Sequence, residues 1–246
     1  MLDRKIIERT AGAFLTDENL VEKDWHVVRS IQVIASITGA TPVFSGGTSL
    51  LKGWGLIHRF SEDVDFKVIS APGESGSQER KQRSAFRDQV LSALEQADSN
   101  LISVKKGNES HFFTADLSYQ SHFDAGAGLR PFTRIEMSFL QPALKPVGRP
   151  IQSFIAQFEK KPPEVSSFLC IDPIETAADK LSALAWRTCT RKRGAPDDDP
   201  TIVRHLHDLA ALEKHVADSS AFERLVWQIA QKNSGRGGQA APLDPA

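Results

Sequence analysis

Apolar residues recur at spacings of three to five through DENLVEKDWHVVRSIQVIASI, about residues 17–37. Leu20, Trp25, Val28, Ile31, Ile34 and Ile37 share one stripe, which predicts an amphipathic core helix. TPVFSGG reads as a short buried strand running into glycines, and TSLLKGWGLI as a helix starting directly after them. SEDVDFKVI is the next strand, APGESGSQ is a loop by its Pro, Gly and Ser content, and a long helix follows from about Gln78 to Asp98. LISVKK, HFFTADLSY and TRIEMSFL are β-rich runs separated by GNES and FDAGAGLRP, and are expected as antiparallel additions to the sheet. LKPVGRP reads as a loop, and the segment after it has no clear period. IDPIETAADKLSALAWR is a helix in which Asp172 can cap, Pro173 suits the first turn and Glu175 completes a capping box. Two more helical patterns cover about 200–215 and 219–233, NSGRGGQAAPLDPA reads as a disordered tail, and no internal repeat is visible.

The length of 246 residues and 40% hydrophobic content suit one compact domain or two small lobes sharing a cleft. Lys+Arg of 30 against Asp+Glu of 31 leaves a net charge of -1, so a nucleic-acid contact must come from a local patch. Arg187, Arg191, Lys192 and Arg193, beside Asp197, Asp198 and Asp199, are the best local candidate for RNA phosphate contacts, although such a run is more often a solvated loop. No stretch approaches the roughly 18 uninterrupted apolar residues of a membrane helix, which predicts a cytoplasmic protein. Cys170 and Cys189 form no CxxC pair, so neither a disulfide framework nor a structural zinc site is expected. His205 and His207 stand two apart on a helix, which points the rings away from each other and argues against zinc.

Candidate chemistry concentrates in FSGGTSLLKGWGLIHRFSEDVDFK, from Phe44 to Lys67. Gly46 and Gly47, between a strand and a helix, let backbone N–H groups approach an anion, and Thr48 and Ser49 add hydroxyls there. A plain tight turn fits the same pair of glycines. The two-residue period of a strand sends Asp63 and Asp65 to one face and Val64 and Phe66 to the other, the acids about 7 Å apart. Two such carboxylates repel unless a cation lies between them, and hard oxygen ligands suit Mg²⁺ or Mn²⁺; a solvated strand edge is the competing reading. In Arg134-Ile135-Glu136-Met137-Ser138 the alternation puts Glu136 on a polar face, as a third acid for a two-metal site or as an ordinary surface residue. Lys52 could reach phosphate one turn after Thr48, although a solvated face explains it better. Arg59 either contacts a nucleotide or pairs with Asp63 or Glu62.

Gly46-Gly47-Thr48-Ser49 followed by Arg59-Phe60-Ser61-Glu62-Asp63-Val64-Asp65-Phe66 resembles the signature of the AbiEii/AbiGii toxin family, within the DNA polymerase β-like nucleotidyltransferase superfamily. Glu22-Lys23-Asp24-Trp25, Pro173-Ile174-Glu175 with Asp179-Lys180-Leu181, and Arg204-His205-Leu206-His207-Asp208-Leu209 resemble it too, in the same order along the chain. The resemblance implies an α+β fold: a polymerase β-like mixed sheet with flanking helices and a C-terminal helical part. It divides the chain into a nucleotidyltransferase core over 1–150, a helical part over 151–234 that completes the active site across a cleft, and a tail over 235–246. It implies that Gly46, Gly47, Thr48 and Ser49 hold the triphosphate of an NTP and that Asp63 and Asp65 bind Mg²⁺ (or Mn²⁺). Glu136 would be the third acid and could take the acceptor's proton. Lys180 would face the leaving pyrophosphate, with Asp208 orienting Lys180 or the acceptor. The implied function is metal-dependent transfer of a nucleoside monophosphate, as the toxin of a type IV toxin–antitoxin or phage-defence system with a cognate antitoxin, acting on the tRNA 3′ end. A protein or small-molecule acceptor, and a non-catalytic binding module on a degenerate fold, are the alternatives.

Overall fold

The computed structural model describes residues 2–73, 75–97, 100–107, 110–124, 129–190 and 202–234. The chain forms two compact units, one of residues 1–142 with 146–171, the other of 143–145 with 172–246. The first begins with helices α1 (Arg4–Phe14) and α2 (Glu18–Ala35), strand β1 (Thr41–Ser45), helix α3 (Gly46–Lys52) and strand β2 (Asp63–Ile69). Helix α4 (Gly76–Gln96) leads to β3 (Asn100–Gly107), β4 (Phe112–Ser118) and β5 (Phe132–Ser138); β6 (Val147–Ile151), α5 (Phe154–Phe158) and β7 (Val165–Cys170) complete it. The second unit holds helices α6 (Pro173–Thr190), α7 (Val203–Val216) and α8 (Ser220–Ser234).

The seven strands form one mixed sheet in the order β3-β4-β5-β2-β1-β7-β6. Alternation decides which face of it is apolar. Val64 and Phe66 of β2, Ile135 and Met137 of β5, and Phe113 and Leu117 of β4 point the same way and are buried against α2 and α4. Helix α2 meets them with Val27, Val28, Ile31 and Ile34, and α4 with Phe86, Val90 and Leu94. Each such side chain, fully removed from water, contributes about 1.5–3 kcal/mol. The opposite faces of β2 and β5, which carry Asp63, Asp65, Arg134 and Glu136, stay partly open.

Three expectations change. The β-rich middle is antiparallel from β3 to β5, but β5 joins β2 in parallel, so an acid-bearing strand is central. The segment after 140, expected as loop and unclear structure, supplies β6 and β7, and β7 pairs in parallel with β1. The first compact unit runs on through Ile171, which keeps β6 and β7 with the rest of the sheet. Helix α3 also stops at Lys52, short of the expected run through Ile57; the chain then continues irregularly to β2. The expected tail over 235–246 lies outside the described residues, as do Arg191, Lys192, Arg193 and Asp197–Asp199.

Candidate active site

The β1–α3 turn is built around two glycines with different reasons to be glycine. Gly46 has φ +73°, a left-handed backbone that costs an L side chain roughly 1–2 kcal/mol, and a Cβ there would fall on the carboxylate of Asp65. A Cβ on Gly47 would lie 2.8 Å from Ser61 Oγ and 3.0 Å from Arg59 Nη2. Backbone, acid and arginine thus meet closely where sequence reasoning puts the phosphates. The neighbouring Thr48 hydroxyl does something else. Thr48 is fully buried and its Oγ1 donates to the carbonyl of Asp63, with the carbonyl of Ser61 3.2 Å away, which ties the helix to the start of β2. Ser49 is buried as well.

The acids are gathered by register. Ser45, the last residue of β1, lies opposite Asp65, and Asp65 lies opposite Glu136 across the parallel β2–β5 pair. Asp63 lies opposite Arg134, and Arg134 opposite Asp116 of β4. Asp63, Asp65, Asp116 and Glu136 therefore share one face with cations set among them. Arg134 binds Asp116 through two hydrogen bonds, 2.7 and 2.9 Å, which hold the Asp116 carboxyl below the usual range. Burial pushes the Glu136 carboxyl up, and the charge of Asp63 adds to that; Arg134 and Arg130 oppose it.

Sequence reasoning missed Arg130, which lies in the FDAGAGLRP connection and has no signal of period or motif. Its guanidinium takes both oxygens of Asp63: Nη1 on Oδ1, and Nη2 on Oδ2 at 3.3 Å. Its backbone N–H donates to Glu62 Oε2 at 3.0 Å, and its carbonyl accepts from Lys23 Nζ at 2.8 Å. Among the described residues, no three His, Cys, Asp or Glu side chains form a metal-ready group.

Glu22 and Lys23 explain why that connection is held, while Asp24 beside them ties down a different part of the fold. Glu22 accepts from the His122 N–H at 2.8 Å and from the Ser121 hydroxyl at the start of it. Lys23 also donates to the Phe132 carbonyl and lies 3.5 Å from Glu62, both side chains nearly fully buried. Asp24 pairs with Lys52 and accepts the Phe154 N–H at 2.8 Å. Lys52 is thus neither on a solvated face nor at the phosphate turn. It is buried, with Nζ 3.9 Å from the centre of the Phe154 ring.

In the second unit Lys180 and Asp208 meet, Nζ 2.8 Å from Oδ2, with Asp208 wholly buried. Helices α6 and α7 bring them together from 28 residues apart. Arg187 Nη1 lies 3.1 Å from His205 Nε2, and His207 Nδ1 lies 3.6 Å from Asp208 Oδ1. Asp172 caps α6 through the Ile174 N–H at 2.8 Å; Glu175 Oε2 accepts the N–H groups of Ala143 and Leu144, at 2.9 and 2.8 Å, binding that short segment to this unit.

The sequence over residues 35–245 matches the family described as nucleotidyl transferase AbiEii toxin, type IV TA system. The chain belongs to the AbiEii nucleotidyltransferase toxin family. It is accordingly a nucleotidyltransferase, a toxin of a toxin–antitoxin system whose substrate is an NTP. Among solved structures the fold resembles MenT4, a nucleotidyltransferase toxin from Mycobacterium tuberculosis H37Rv, with a TM-score of 0.63 and 17% identity over 98% of this chain and 75% of that one. No curated protein sequence matches the chain. No helix among the described residues of this AbiEii family member is long and apolar enough to cross a membrane.

Proposed function

We propose that the protein transfers a nucleoside monophosphate from an NTP to the 3′ end of tRNA, using Mg²⁺ or Mn²⁺, in the cytoplasm and under the control of a cognate antitoxin. The observation that carries the reading is the row Ser45, Asp65, Glu136 across three adjacent strands, with Asp65 packed on the Gly46 turn. Asp63 and Asp65 project from one face of β2, and Glu136 stands beside Asp65. These hard oxygen donors fit a divalent cation chemically, and a guanidinium already stands on Asp63 where positive charge is called for. Asp63, Asp65 and Glu136 would hold the metal, which when bound neutralises phosphate charge and favours in-line displacement.

The chain's own groups divide the remaining work. Backbone N–H groups at Gly46, Gly47 and Thr48 hold phosphate oxygens, with Arg59 beside them. The acceptor hydroxyl forms a bond to the α-phosphorus, the bond to pyrophosphate breaks, and Glu136, which stands beside Asp65 on the partly open face, takes the hydroxyl proton. Lys180 is oriented by Asp208 and is a fixed positive charge of the kind that suits a leaving pyrophosphate.

Each of the four α-³²P-labelled NTPs, incubated with the full chain and tRNA and then with cell extract, tests this. Label is expected on tRNA, reduced by roughly 10³-fold in Asp65→Ala, equivalent to about 4 kcal/mol of transition-state stabilisation. Label confined to protein bands or small molecules overturns the tRNA acceptor.

A further inference from the structure

Arg130 has a fastened backbone and a partly exposed head. Its N–H is held by Glu62 and its carbonyl by Lys23, which also binds the carbonyl of Phe132 two residues on. Lys23 and Glu62 are almost completely buried, whereas the side chain of Arg130 is 32% exposed and that of Asp63 30%. The anchoring therefore places the start of the side chain, and the guanidinium lies at the open side of the acid face. There it covers Oδ1 and Oδ2 of Asp63, the same oxygens a divalent cation needs. Arg134 is committed to Asp116 by two good hydrogen bonds.

We infer that Arg130 is a positioning residue for metal loading: it is the internal counter-ion of Asp63, and it must leave that carboxylate for the cation to bind. The inference rests on the metal reading above. Asp63 sits among Asp65, Asp116 and Glu136, so leaving it without any cation raises like-charge repulsion across the face. Arg130 relieves that repulsion until the metal arrives, and the two cations exchange at one carboxylate. The displaced guanidinium remains on its anchored backbone beside the site, where the anion that accompanies the metal is the triphosphate. A planar fork of N–H donors matches phosphate oxygens, so loading of metal and of nucleotide favour each other.

The test is a Mn²⁺ titration of the nucleotide-free full chain, followed by electron paramagnetic resonance of free Mn²⁺ and by the metal-induced rise in melting temperature. Arg130→Gln, which keeps the backbone contacts of residue 130, is expected to bind Mn²⁺ about tenfold more tightly than the unaltered chain. Arg130→Lys, a point cation that cannot fork onto both oxygens, is expected to fall between them and guards against misfolding of the first variant. Steady-state kinetics should show Arg130→Gln with a raised KM for NTP and a smaller change in kcat. A loss of mere packing would not tighten metal binding. An Mn²⁺ midpoint in both variants equal to or above that of the unaltered chain overturns the role of Arg130 and leaves the metal site standing. Absence of any Mn²⁺ response in all three chains, with Asp63→Asn as the control, overturns the metal site and this inference together.

Discussion

Two short charged stretches of the first unit, Glu22-Lys23-Asp24 and Asp63-Val64-Asp65, have similar composition and opposite fates. On α2 successive residues are turned about 100° apart, so three charges leave in three directions, and each finds its own partner: the Ser121–His122 backbone and hydroxyl, the Arg130 connection, and Lys52 with the start of α5. On β2 alternate residues leave in one direction, so two like charges are set side by side on a partly open face. The helical triplet is buried and internally satisfied, which makes it scaffold. The strand pair converges on a partly open face, where Arg130 meets Asp63, and it is there that the proposed metal site lies. Burial of charge does not by itself mark an active site; convergence of like charges on an open face is the better pointer to one.

If that contrast holds, the largest stability change belongs to the helix. Asp24→Ala leaves Lys52 buried with its charge uncompensated, and urea unfolding should show a loss of about 3–5 kcal/mol; a loss under about 1 kcal/mol would break the distinction. Next comes His26, on the same helix and stacked on Tyr119 with ring centres 3.9 Å apart. Burial, helped by the charges of Lys23 and His122, lowers its pKa from 6.5 to about 4. The unfolded chain then binds the proton that the folded one refuses, so stability is unaffected above about pH 7 and falls as pH drops from about 6.5 towards 4. The loss at pH 5 is about 2 kcal/mol relative to pH 8, and His26→Phe should flatten that part of the urea profile. Smallest is Asp63→Asn: both partners of the Asp63–Arg130 pair are about one-third exposed, so unfolding free energy should move by less than about 1 kcal/mol. A large drop there would place Asp63 in the scaffold.

Much of the site was legible before the fold. The strand period put Asp63 with Asp65 and Glu136 opposite the core, and Ile135, Met137, Val64 and Phe66 are indeed buried on the other face. The diglycine turn was visible as a turn, although only φ at Gly46 and the packing of Asp65 on it explain why that position excludes a Cβ, and only the approach of Ser61 and Arg59 explains the crowding at Gly47. The Thr48 hydroxyl is bound to the Asp63 carbonyl, and residue type near a turn does not say whether a side chain faces outward or into the fold. Strands β6 and β7 escaped notice since VGRPI and VSSFLC are short and lack clean alternation; they become strands by pairing with each other and with β1.

The sequence alone determined the local periods: which residues alternate on β2 and β5, which line the apolar stripe of α2, and where glycine breaks the backbone. These depend on neighbours within a few positions, where geometry is set by the peptide unit itself. Only the tertiary structure decided the pairings. Asp24 with Lys52, Lys23 with the carbonyl of Arg130, and Arg130 with Asp63 join residues 28 to 107 positions apart. Whether a charge at such a distance is partnered, buried or exposed follows from register and chain crossing, for which no local pattern exists.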